Sequence, residues 1–340
     1  MARSGFTSRV TLTGGALTAD KTINSLRSNF GTAALDLGGF TLTVATGGIL
    51  SNNVAATISN GSITSGNSQD LIVTGPTTGT NTLTISAAIT GSIGLTKSGS
   101  VGLTLGGSAA NTFTGTTYVN AGILTLAKPA GITALPGDVV VGGTENTAGT
   151  LAGTLAFATG ATGNIPITSN LSLSYGGAVN FANNTTPELR SFTYTAGTIT
   201  NLGTLTLNST GTYALTVGQN GLTGLGSTTV VLTGASGGGI RFDATRATGT
   251  TVTSISAMNL GGFGRTFDID NGPGIDDLAV GTLATGAAAV TVTKNGTGTL
   301  NITTANTVVP TTDITVLQGT MSLNGLGTIL GGAAIPILVN

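Results

Sequence analysis

The sequence predicts an all-β chain wound as a parallel β-helix, and three observations predict it. Short segments of alternating apolar and Thr residues recur along the whole chain, and a period of two marks a strand with one buried face. Gly makes up 56 of 340 residues, about twice the usual share, and Gly and Asn suit bends because both tolerate positive φ. There is also an internal repeat. Lys97, Gly99, Leu103, Leu105, Val119, Gly122, Leu124 and Leu126 return at one offset as Lys294, Gly296, Leu300, Ile302, Val316, Gly319, Met321 and Leu323. Repetition of this kind points to stacked units, each packed on its neighbours.

Taken in order, Val10-Thr-Leu-Thr13 and Leu17-Thr-Ala19 open the strand rhythm. Asn24–Phe30, Leu35-Asp-Leu37, Phe40–Val44, Ile49-Leu50, Ala56–Ser59, Ser62-Ile-Thr64, Leu71-Ile-Val73 and Thr82–Ile85 continue it, each closed by a Gly-, Asn- or Ser-rich bend. Residues 94–128 hold three extended segments and the first repeat copy; residues 293–323 hold the second. Lys128–Gly137 is expected to be an irregular loop or one helical turn. The rhythm resumes at Val139-Val-Val141 and runs through Leu171-Ser-Leu173, Val179-Asn-Phe181, Thr198-Ile-Thr200, Thr204–Leu207, Leu215-Thr-Val217, Val230-Val-Leu232, Ile240-Arg-Phe242, Val252–Ile255, Phe267-Asp-Ile269 and Val290-Thr-Val292.

No stretch carries apolar residues at helical spacing over three turns, so no substantial helix is expected. An antiparallel sandwich would show hairpins, whereas these runs are too short for long ones and their repeats are length-matched. No composition shift divides the chain, so residues 1–340 are expected to form one continuous module. With strands about 4.8 Å apart and coils of roughly 20–25 residues, it would be a rod about 65–80 Å long. Leu, Ile and Val would form inward ladders with Phe113, Tyr118, Phe181, Phe192 and Tyr213, while Thr, Ser and Asn cover the outside.

Composition excludes several function classes. The chain is 39% apolar and its mean hydropathy is +0.38, which does not fit disorder. No run approaches 18 apolar residues, so no membrane-spanning helix is expected; the strongest cluster, Ala333–Val339, is interrupted by Pro336. Eleven basic residues face twelve acidic ones, with no basic stripe to hold nucleic acid. Cys and His are absent. That removes thiol chemistry, the commonest metal ligand and the commonest general base near neutral pH.

Lys97-Ser-Gly99, Leu103-Thr-Leu105, Ala110-Asn-Thr-Phe-Thr-Gly115, Val119-Asn-Ala-Gly122 and Leu124-Thr-Leu126 resemble the autotransporter-associated β-strand repeat. Ile23–Arg27, Leu35–Val44 and Gly47–Leu50 are similar to segments that commonly precede it. The resemblance covers roughly residues 20–128 and 240–323. It implies a right-handed, single-stranded parallel β-helix displayed outside the cell, as in autotransporter passengers and very large bacterial surface proteins. Residues 1–20 carry Arg3 and Arg9 but no continuous apolar core, so no secretory signal is expected within them. No C-terminal run of amphipathic barrel strands is expected either. The expectation is therefore a piece of a longer passenger, with a self-associating subunit whose open ends stack as the alternative.

The sharpest chemical candidate is Asp268-Ile-Asp270-Asn-Gly-Pro-Gly-Ile-Asp276-Asp277. Asp268, Asp270, Asp276 and Asp277 are candidate Ca²⁺ ligands, since Ca²⁺ takes carboxylate oxygens. The full calcium-loop pattern is missing, and a solvated loop is the plainer expectation. Asp268 and Asp270 should share one strand face before an Asn271-Gly272 turn. The same acids are candidates for polysaccharide cleavage, which needs two positioned carboxylates. Arg241, Arg246 and Arg265 lie near in sequence, but there is no Trp to stack on a sugar. Asp70 and Asp277 each precede an apolar strand, which suggests a shared turn role.

Thr-x-Thr pairs at Thr11/Thr13, Thr41/Thr43, Thr82/Thr84, Thr198/Thr200, Thr204/Thr206, Thr251/Thr253 and Thr291/Thr293 raise ice binding. Their irregular spacing argues against one aligned array. Gly237–Gly239 and Gly261–Gly264 do not follow a strand and open a helix, so they are not phosphate loops. Asn60-Gly61, Asn220-Gly221, Asn271-Gly272, Asn295-Gly296 and Asn324-Gly325 are turn pairs. The sequence thus predicts a non-catalytic structural or adhesive surface module without a required cofactor. Its expected partners are other copies, neighbouring repeat modules and surface glycans. A carbohydrate-binding or carbohydrate-cleaving β-helix is the alternative, followed by an ice-binding one.

Overall fold

The computed structural model describes residues 16–28, 34–51, 55–66, 68–76, 82–143, 153–218, 224–246, 250–286, 290–304, 313–323 and 337–339. Val10–Thr13, Asn220-Gly221, Asn324-Gly325 and most of Ala333–Val339 lie outside these. The described residues form a parallel β-solenoid: every described strand pairing is parallel, and the one helical element is a 3₁₀ turn at Ala244–Arg246. No helix among them is long and apolar enough to cross a membrane. The chain divides into two compact units, Met1–Ser169 with Ser174–Asn184, and Asn170–Leu173 with Thr185–Asn340.

In the first unit one rank stacks Leu26–Ser28, Gly48–Ser51, Leu71–Thr74, Leu95–Lys97, Thr117–Val119 and Val139–Val141. A second rank stacks Ala34–Asp36, Ala56–Ser59, Thr82–Ile85, Gly102–Leu105, Gly122–Leu126, Gly153–Phe157 and Ala178–Asn180. A shorter third rank holds Lys21–Ile23, Thr41–Val44, Ser62–Ser65 and Ala88–Ile89. Alternation along each strand sends Leu35, Ile58, Ile85, Leu105, Leu126 and Phe157 inward in one register-aligned file, nearly free of solvent. Full burial of each such side chain is worth about 1.5–3 kcal/mol. Phe157 stacks on Phe181 with centroids 5.5 Å apart.

In the second unit one rank stacks Asn170–Leu173, Ser191–Tyr194, Tyr213–Val217, Gly239–Phe242, Arg265–Ile269, Thr291–Asn295, Asp313–Val316 and Ile337–Val339. The facing rank stacks Glu188–Leu189, Thr204–Leu207, Thr229–Leu232, Thr253–Asn259, Leu278–Ala284, Thr299–Ile302 and Thr320–Leu323. The inward file of the first of these two ranks, Leu173, Tyr194, Val217, Phe242, Ile269, is buried throughout.

Two sequence expectations need correction. Phe113, Phe181 and Phe192 are buried, but Tyr118 is 40% exposed and Tyr213 points outward. Tyr118 falls on the solvent side of its strand's alternation, while a register irregularity between Tyr213 and Leu215 breaks the alternation and turns Tyr213 out. The Thr residues, in contrast, do align. Thr57, Thr84, Thr104 and Thr125 stand in one outward file on consecutive strands, and Thr22, Thr43 and Thr64 form another. Unequal corners hide this order in the sequence. Lys128–Gly137 is a loop, the first of the two forms expected for it.

The repeat motif has a physical basis that its composition conceals. Lys97 sits in the inward file between Val73 and Val119, fully buried. Its Nζ donates to the carbonyls of Ser98 at 2.9 Å, Gly99 at 2.7 Å and Ala121 at 2.8 Å. Lys294, between Phe267 and Val316, donates to Asn295 at 2.7 Å, Gly296 at 2.6 Å and Gln318 at 3.2 Å. Each ammonium thus ties its own corner to the next coil's corner. Gly122 closes the first cage with φ +68°, and a Cβ there would lie 2.7 Å from the Lys97 Nζ. Lys128 and Arg265 are buried on carbonyls in the same manner. Buried Asn111 links three coils, accepting from the Ile89 N–H at 2.9 Å and donating to Ala134 at 2.7 Å.

Candidate functional site

The four candidate acids do not converge. Asp268 and Asp270 do share one face, and Arg241 lies between them. Arg241 is on the outer face of Gly239–Phe242, in register with Asp268 on the next strand. Its Nη1 donates to Asp268 Oδ2 at 3.1 Å and its Nη2 to Asp270 Oδ2 at 3.0 Å. Asn295, one strand further and also in register, donates to Asp268 Oδ1 at 3.3 Å. From the other side the Tyr213 hydroxyl donates to Asp268 Oδ2 at 2.5 Å. That bond holds the Tyr213 phenol above its ordinary pKa, with burial adding to the effect. The Arg241 guanidinium carbon lies 5.8 Å from the Tyr213 ring centre.

Asp276 and Asp277 serve the adjoining corner. Asp277 is fully buried; its Oδ1 accepts from the Gly272 N–H at 2.6 Å and its Oδ2 from the Thr299 N–H at 2.7 Å. Asp276 Oδ2 accepts from Asn301 at 2.6 Å. Asp70 acts much as Asp277 does, accepting from the Gly94 N–H of the following coil at 3.0 Å. The shared turn role expected for Asp70 and Asp277 is therefore a coil-to-coil pin.

Among the described residues no group of three or more carboxylates is arranged to hold a metal ion. Within the cluster, a guanidinium fills the place where the Asp268 and Asp270 carboxylates face each other. Arg265 is not part of it, being buried with Nη2 on Gly234 at 2.7 Å and Nε on Leu260 at 3.2 Å. The side chain of Arg246 lies outside the described ones.

Tyr213 and Asn295 were missing from the sequence candidates. Coil spacing would have found Asn295: Arg241 to Asp268 and Asp268 to Asn295 are both 27 residues apart. No comparable signal marks Tyr213, whose ring reaches across one whole strand. No family model, curated protein or solved structure matches the chain.

Proposed function

We propose that this chain is a non-catalytic structural or adhesive module of an extracellular or cell-surface protein, of the autotransporter-passenger type its repeat resembles. It acts through stacked coils and surface contacts with copies of itself or neighbouring modules. The observation that carries this is how its buried polar groups are used. Lys97, Lys128, Lys294, Arg265, Asn111 and Asp277 all bind backbone of their own or neighbouring coils. The polar chemistry of the interior goes into joining coils, and the two acids that share a face, Asp268 and Asp270, are bound to one guanidinium. The test is protease treatment of intact cells that make the protein. Its degradation while a cytoplasmic marker survives is expected; full protection of the protein would overturn the proposal.

A further inference from the structure

We propose that Tyr213, Arg241, Asp268, Asp270 and Asn295 form a binding site for a neutral saccharide. The site would supply the adhesive contact of the module proposed above and rests on that reading. In its rank the outward file begins Ser172, Thr193, Thr216, then changes abruptly to Arg241, Asp268, Asn295. In a chain only 7% charged, this is a concentrated patch, and it is aromatic as well. Tyr213 pairs in register with Gly239, yet its hydroxyl reaches Asp268 on the strand beyond. The ring therefore lies along the sheet across a position with no side chain. It is tethered at its far end by the hydroxyl and is half-buried, so part of it stays open to solvent.

The ligand class follows from what the patch repels and what it still offers. Its two carboxylates outnumber its one guanidinium, so phosphates, sulfates and uronic acids meet net negative charge. A metal cation meets Arg241 already placed between those carboxylates. What remains is open hydrogen-bonding capacity beside an aromatic surface. Among the described residues, Asp270 Oδ1 and the Asn295 side-chain oxygen receive no donor, and Asp270 is 35% exposed. Sugar hydroxyls donate and accept at once, which matches carboxylate, amide and guanidinium groups set side by side. The apolar face of a pyranose suits a tethered Tyr ring, which loses little entropy on binding.

The test uses the full chain with gluco-, manno- and galacto-configured neutral hexasaccharides and an oligogalacturonate control, followed by calorimetry. Binding to at least one neutral probe, and weaker binding of the acidic one, is expected. Tyr213→Ala should weaken binding about tenfold, while Tyr213→Phe keeps most of it because the ring remains. Asp270→Asn should weaken binding without altering the far-ultraviolet circular dichroism. Asp276→Asn, at the neighbouring corner, should bind as the parent does. No binding to any neutral probe at millimolar concentration overturns the site, as does undiminished binding by Tyr213→Ala or a preference for the acidic probe. Failure here with the protein still protease-sensitive on intact cells removes the site and leaves the surface assignment. Saccharide binding by a protein fully protected inside cells does the reverse.

Discussion

The Lys97 ammonium donates to the Ala121 carbonyl at 2.8 Å, so a side chain rooted in one coil holds the corner of the next. The same contact joins Lys294 to Gln318 at 3.2 Å. A buried cation is normally expected to find a carboxylate; here neutral carbonyl dipoles surround it.

Replacing Lys97 with Met keeps the stem's volume and leaves three carbonyls without their donor. We expect a loss of about 3 kcal/mol, seen as a lower urea midpoint. Lys294→Met should lose less, because its inter-coil bond is longer. An unchanged midpoint for Lys97→Met would show that the cage contributes nothing.

The cages also set a pH dependence. Burial pulls Lys97, Lys128 and Lys294 from 10.5 to about 8, with nearby Asp268, Asp277 and Asp270 partly opposing this at Lys294. Between those values the unfolded chain binds more protons than the folded one, so stability rises with pH. The urea midpoint should be higher at about pH 9.5 than at about pH 7.5, and the rise should shrink in Lys97→Met. A midpoint that falls over this window would refute the assignment.

Gly122 and Gly131 separate two costs. Both have positive φ, +68° and +74°, but a Cβ at Gly131 meets nothing within 4 Å, whereas at Gly122 it lies 2.5 Å from the Gly99 carbonyl oxygen. Gly131→Ala should lose only about 1 kcal/mol for the left-handed backbone. Gly122→Ala should lose several times more, because the lysine cage must open. Thermal midpoints of the two variants provide the comparison, and equal losses would contradict it.

Asp277 should behave as a structural acid and Asp276 as a surface one. Asp277→Ala strands the Gly272 and Thr299 N–H groups and should cost about 2 kcal/mol. Asp276→Ala should cost less than about 1 kcal/mol. Amide hydrogen exchange at Thr299 should quicken in the first variant alone.

Strand identity was legible in the sequence because it depends on local alternation: Thr82–Ile85 and Thr204–Leu207 show their buried faces residue by residue. Parallel stacking was legible because the repeat, though imperfect, returns at one offset. The role of Lys97 was not, since a lone Lys between Thr96 and Ser98 looks like a surface residue until the neighbouring coils are placed. The candidate site was half legible. Asp268 and Asp270 share a face by strand geometry alone, but Tyr213 reaches them only through a fold that brings residues 55 positions apart together. Asp277 looked like a ligand because it follows Asp276 after a Gly-rich turn and nothing in the sequence signals its burial.

The outward file Thr57, Thr84, Thr104, Thr125 holds its register although its members are unequally spaced along the chain. In this rank, length variation is therefore absorbed at the corners and not passed to the face. Evolution can splice residues into a bend, and an engineer can graft a peptide there, while the next strand still docks in phase.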